Sequence, residues 1–103
     1  MTKIVTVFRS RVRKEALDEY APMAARMSEL AEKMPGYLSH KGFVAEDGER
    51  VTIVEFESEE AHRAWAQHLE HVEAKKKGRS TFYAEYKIQI CAVQRENEFH
   101  RAG

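Results

Sequence analysis

The stretch AHRAWAQHLEHVEAKKKGRSTFYAEYKIQICAV, residues 61–93, holds the change of period that decides the fold. Up to Lys77 it reads as a helix, Gly78 punctuates it, and from about Phe82 to Val93 it turns into a strand rich in aromatic and apolar residues. It also contains the only Trp and the only Cys of the chain. At about 100° per residue, Trp65, His68, Leu69 and Val72 fall within roughly 100° of one another on the helix. An indole and an imidazole therefore point the same way, over whatever that helix covers. Laid across the strand that follows, they would meet Phe82, Tyr83 and Tyr86 in one apolar pocket. That convergence is where the sequence points for function.

Working outward, Ser58 is placed to cap the helix, with Glu59 and Glu60 opposing its dipole. The helix is expected to run to about Lys77, with a break near Gln67–Leu69, and to end at Gly78. Upstream, Tyr37–Ala45 and Arg50–Glu57 read as strands joined through Glu46-Asp47-Gly48-Glu49, a strong hairpin signal. Before them Leu17, Tyr20, Ala21, Ala24, Met27, Ala31 and Met34 recur at helical spacing from Lys14 to Met34, until Pro35-Gly36 stops the pattern. Pro22 inside that run predicts a kink or break. Residues 3–12, KIVTVFRSRV, form a further strand. Residues 94–103 are a polar tail whose one large apolar residue, Phe99, is expected to dock on the body or on a second copy.

The order is β-α-β-β-α-β, the α+β ferredoxin-like plan: a four-stranded antiparallel sheet with two helices on one face. The other face has no cover from this chain, yet Ile4–Phe8, Val51–Phe56 and Ile88–Val93 carry apolar residues on both sides. A second copy packed sheet to sheet is the simplest cover, so a homodimer is expected. At 103 residues the chain reads as one domain, 1–103. Lys plus Arg and Asp plus Glu are both 17, and this balance argues against nucleic acid or an anionic membrane as partner. No apolar run suits a membrane span or a signal-peptide core, so a cytoplasmic protein is expected. Cys91, alone and inside KIQICAV, reads as a buried, inert thiol.

His68 and His71, three apart on a helix, can reach one side of it. They suit acid–base work, a metal, or a structural pair at the surface. A metal would need a third ligand from Glu55, His40 or Glu85, and no motif supplies one, so none is assigned. His68, nearer Trp65 on the helical wheel, is the favoured base. Trp65 is either a core residue or the flat wall of a pocket. Tyr83 and Tyr86, three apart in a strand, should face opposite sides. Glu85 should share the face of Tyr83, where an inward carboxylate with a raised pKa is a second candidate base. Arg79 either clamps an anionic group or pairs with a surface acid. No Gly-rich phosphate cradle and no Ser, His and acid grouping stand out.

The strings MPGY (34–37), DGERVTIVEFESEEAHRAW (47–65), HLEH (68–71), GR (78–79), FYAEY (82–86) and IQIC (88–91) together resemble the antibiotic biosynthesis monooxygenase family, over roughly residues 3–95. Those proteins are dimeric α/β barrels. The resemblance implies a cofactor-independent oxygenase that uses O₂ on a small quinol- or anthrone-like aromatic. His68, Glu85 and Tyr83 would then do the chemistry, and Trp65, His71, Arg79, Phe82 and Tyr86 would contact the substrate. Haem-degrading relatives place a haem-ligating His ten residues after a helical Trp. Trp65 matches the Trp, but the second position is Lys75 and the first-strand Asn is missing, so haem degradation is not expected. The alternative is a non-catalytic dimeric protein that binds a small molecule or serves in a stress response.

Overall fold

Alternation along the first strand, β1 (Ile4–Val12), sets the two faces of the sheet: Ile4, Thr6 and Ser10 are buried, while Val5, Val7 and Arg11 are only partly covered. The computed structural model describes residues 2–102. β2 (Tyr37–Val44), β3 (Arg50–Phe56) and β4 (Tyr83–Ala92) complete a four-stranded sheet in the order β2-β3-β1-β4. Every pairing is antiparallel. Three helices, α1 (Leu17–Glu32), α2 (Glu59–Ala66) and α3 (Leu69–Lys77), stand where two were expected, because the second breaks at Gln67–His68. The ferredoxin-like α+β plan holds, with the sheet of one chain open rather than closed into a barrel.

The helices cover the face that carries Phe56 and Val54. There Phe56, fully buried, packs with Ala31 and Trp65, and Met27, Leu30, Met34, Tyr37 and Ala61 close around them. Each helix start has a local cause. Ser58 Oγ accepts the Ala61 N–H at 3.1 Å and opens α2. His68 Nδ1 accepts the Glu70 N–H at 3.2 Å and restarts the chain as α3. A 3₁₀ turn, Lys14–Ala16, precedes α1, and Pro22 lies inside α1 rather than at a break. Pro22 offers no N–H to the Asp18 carbonyl, and both residues are exposed, so water can take that place.

Two register shifts change which side chains share a face. Between Tyr37 and Ser39 the pairing of β2 with β3 slips by one residue, leaving Leu38 extra. Between Arg11 and Val12 the partners on β4 jump from Glu85 to Tyr83, leaving Ala84 extra. Such a bulge turns residues three apart onto one face. Tyr83 and Tyr86 therefore both lie on the helix-bearing side, correcting the expectation of opposite faces, and their rings meet at 5.6 Å. Glu85, opposite Arg11, points to the helix-free side instead of sharing the face of Tyr83.

As the spacing puts it, α3 stops at Lys77 and its C-cap is Gly78. Its φ is −57°, and the chain runs on through a π-helical turn, Gly78–Phe82, before β4 begins. Glycine is needed there because a Cβ would stand 2.6 Å from the Tyr83 ring. Cys91 is exposed rather than buried, since it lies opposite Val5 on the helix-free face that this chain leaves bare. Phe99 does not dock on its own body: it is 77% exposed, with the Arg101 guanidinium 5.3 Å above its ring. The tail is pinned earlier, where Lys3 Nζ donates to Glu96 at 2.9 Å.

The Pro35-Gly36 stop yields a test of backbone strain. Gly36 has φ +84°, and a Cβ would meet the Ala61 Cβ at 2.5 Å. Gly36→Ala is expected to cost about 3–4 kcal/mol through strain and overpacking. At Gly48 φ is +90° with nothing within 4 Å, so Gly48→Ala pays only the backbone term, about 1–2 kcal/mol. Urea unfolding midpoints of the two variants measure the difference.

Candidate active site

The break between α2 and α3 builds the site. Had one helix continued, His68 would be the imidazole nearest Trp65. Instead the chain folds back and lays the His71 ring flat on the indole, with centroids 4.3 Å apart and planes 10° apart. His68 is only tilted beside it at 5.9 Å and 43°. The two imidazoles are also wired oppositely. His71 Nδ1 lies 3.0 Å from the Trp65 carbonyl, which can only accept, so Nδ1 carries the proton and Nε2 keeps a free lone pair. His68 spends its Nδ1 lone pair on the Glu70 N–H, so its neutral form carries the proton on Nε2. A proton acceptor beside Trp65 is thus His71.

His62, which the sequence reading did not single out, joins them. It is buried and stands edge-on to Phe56 at 6.0 Å. The available signal was its position three residues before Trp65, on the same side of α2. Burial, and then the charge of Lys75, hold the His62 pKa below the ordinary imidazole value. Burial lowers that of His71 too, against the Trp65 carbonyl bond that raises it, with Lys75 adding to the lowering. Both rings are therefore neutral at pH 7, and Lys75 is their cationic neighbour.

A second aromatic group occupies the other end of the same face. Tyr83 meets Phe8 at 5.5 Å and Tyr20 at 5.8 Å, and Phe8 stacks on Tyr86 at 5.6 Å. Arg50 lies over the Tyr20 ring at 5.6 Å. Burial keeps the Tyr83 hydroxyl protonated, with its pKa well above the ordinary phenol value. Phe82 is 1% exposed and packs edge-on to Tyr20, so it is core rather than a pocket wall. Arg79 is exposed on the π-helical turn and is not brought to either group. Glu85 is salt-bridged to Arg11 at 3.1 Å and 68% exposed, which removes it as an inward base. Among the described residues no three His, Cys, Asp or Glu side chains gather as a metal set. An open groove of about 790 Å³ between α1 and α3 is lined by Met23, Met27 and Leu69, and none of the sequence-assigned site residues lines it.

The fold defines a class: ferredoxin-like α+β chains with helices over one face of an open, four-stranded antiparallel sheet. The family described as antibiotic biosynthesis monooxygenase matches residues 3–77, and the chain belongs to that family. The uncharacterised protein YqjZ of Bacillus subtilis (strain 168) is 36% identical over 90 residues, 87% of this chain and 79% of its own length. Among solved structures, Rv0793 from Mycobacterium tuberculosis is similar with a TM-score of 0.82 at 14% identity, covering 93% of this chain and 99% of that one. SnoaB, a cofactor-independent oxygenase from Streptomyces nogalater, is similar at 0.77 and 16%, covering 93% and 97%. At those identities the two structures share the fold. Among the described residues no helix is long and apolar enough to cross a membrane.

The lowered histidine pKa values fix the sign of an acid effect. The unfolded chain takes up protons at the ordinary value while folded His62 and His71 resist them, so the unfolded state binds more protons in that window. Their contribution is present above about pH 6.5 and is lost as pH falls. In His62→Phe, which keeps a ring against Phe56, the fall in urea midpoint between about pH 7 and pH 5 is expected to be shallower than in the parent.

Proposed function

We propose that the chain is a cofactor-independent monooxygenase of a small, electron-rich aromatic, quinol- or anthrone-like, with His71 rather than His68 as its general base. The observation that carries this reading is the Trp65–His71 stack, in which the carbonyl of Trp65 fixes the tautomer and leaves Nε2 free. Family membership and the likeness to a cofactor-independent oxygenase support it. Nε2 takes a proton from the substrate, and the resulting anion gives an electron to O₂. The radical pair combines as a peroxide at the same carbon. Loss of water then leaves a carbonyl, so that CH₂ and O₂ become C=O and H₂O. Trp65 provides a flat wall, and Tyr83 and Tyr86 lie at the far end of the same face.

Oxygen uptake with a panel of autoxidisable anthrones and quinols tests this. His71→Ala is expected to lower the rate by about 10²-fold or more, while His68→Ala loses less. Because the base works when neutral and its pKa is lowered, the acid limb of the rate profile should lie below the ordinary imidazole range. Uptake no faster than in buffer across the panel would instead favour a non-catalytic binding protein.

The same reading includes a homodimer through the helix-free face. Val5, Val7, Val51 and Ile53 are only partly covered there, Phe43 is 46% exposed, and Arg9–Glu49 and Arg11–Asp47 ion pairs flank them. Such an interface should bury upwards of about 2,000 Å² in total. Sedimentation of the parent should give a dimer at micromolar concentration, and Val7→Asp a monomer. A parent that sediments as a monomer rejects this part.

A further inference from the structure

A second chemistry-bearing pair lies on the helix-bearing face, outside the Trp65–His71 stack. The bulge at Leu38 turns both Tyr37 and His40 to that side, and the Tyr37 hydroxyl is hydrogen-bonded to His40 Nδ1. Burial, and then the Glu32 carboxylate, keep that phenol protonated, so its O–H donates and Nδ1 accepts. The Tyr37 ring stands edge-on to Phe56 at 6.1 Å and 80°. Phe56 in turn shares the core cluster with Trp65, and Tyr37 packs against that cluster. Indole and phenol are among the most easily oxidised side chains. A packed route thus runs from the indole at the candidate site, through the cluster around Phe56, to a phenol whose proton already has an acceptor.

We propose that Tyr37 and His40 form a redox-active pair that draws an oxidising equivalent away from Trp65. A one-electron oxidant, such as an oxygen-centred radical, converts Trp65 to its radical cation. Tyr37 passes one electron to the indole, and its phenolic proton crosses to His40 Nδ1. The products are neutral Trp65, a neutral tyrosyl radical and the His40 imidazolium, so the single positive charge is conserved. Moving the proton with the electron avoids a charged phenol radical in an apolar core. A soluble thiol later returns the electron, and His40 returns the proton. Tyr83 is not equivalent, because its ring neighbours are Phe8, Tyr20 and Tyr86, none of which accepts a proton at neutral pH.

The test generates the oxidant photochemically, with a ruthenium polypyridyl complex and a sacrificial quencher, and so stands apart from the oxygenase reading. In the parent the indolyl radical should give way to a tyrosyl radical. Tyr37→Phe, which keeps the ring on Phe56, should lengthen the indolyl lifetime about tenfold or more and raise Trp65 oxidation products found by peptide mass spectrometry. His40→Phe should slow the transfer and remove its solvent deuterium effect. Tyr83→Phe should behave as the parent. An unchanged indolyl lifetime in Tyr37→Phe, or an equal lengthening in Tyr83→Phe, overturns the proposal. So does transfer at the parent rate in His40→Phe, which also carries the test should Tyr37→Phe fail to fold.

Discussion

Phe56 is the residue on which the helix-bearing face rests. It ends β3, pairs with Ile4 on β1 and Tyr37 on β2, and is wholly buried. Removing a Phe side chain from water contributes about 2–3 kcal/mol, but its positional effect is wider. Tyr37 and His62 both stand edge-on to its ring, and Trp65 and Ala31 complete the cluster around it. His71 is then placed at one remove, by stacking on Trp65. His71 and Tyr37 are therefore held by ring packing together with one hydrogen bond each, and His62 by packing alone. That arrangement suits a site whose groups must stay neutral: the packing that positions the histidines is the same burial that depresses their pKa values.

Local signals in the sequence are what the structure follows most closely. The Asp47-Gly48 turn, the Ser58 cap and the Pro35-Gly36 stop depend on neighbours a few residues away, and each lands where the spacing puts it. The site was less legible. A helical wheel drawn through Gln67 aligns His68 with Trp65, because a wheel assumes that the helix does not restart. Once His68 turns its imidazole to its own backbone to cap α3, it is committed, and the next turn delivers His71. The break itself was foreseen; its consequence for which histidine meets the indole depends on tertiary packing.

The bulges show a different kind of illegibility. Tyr37 with His40, and Tyr83 with Tyr86, are both spaced by three, which in a regular strand places them on opposite faces. An extra residue at Leu38 or Ala84 reverses that, and nothing within either strand announces it. Register is decided by the partner strand and by what must be buried, not by the strand alone. Glu85 was displaced by the same event that brought Tyr83 and Tyr86 together. One inserted residue thus exchanged a carboxylate for a second phenol on the working face, an outcome visible only when the pairing is known.

The position of β1 has a consequence for how the chain comes to be folded. The first strand made lies between β3 and the strand made last, β4. On the ribosome its hydrogen bonds to β3 can form once Phe56 has emerged, but the other edge stays unpaired for the 36 residues from there to Ala92. At about 5–20 residues per second that interval is roughly 2–7 s. Throughout it a nascent chain offers an open, apolar strand edge of the kind that recruits other chains. Closure waits on the carboxyl end, so the same backbone groups that finish the sheet are those a chaperone, or a neighbouring nascent copy, can reach first.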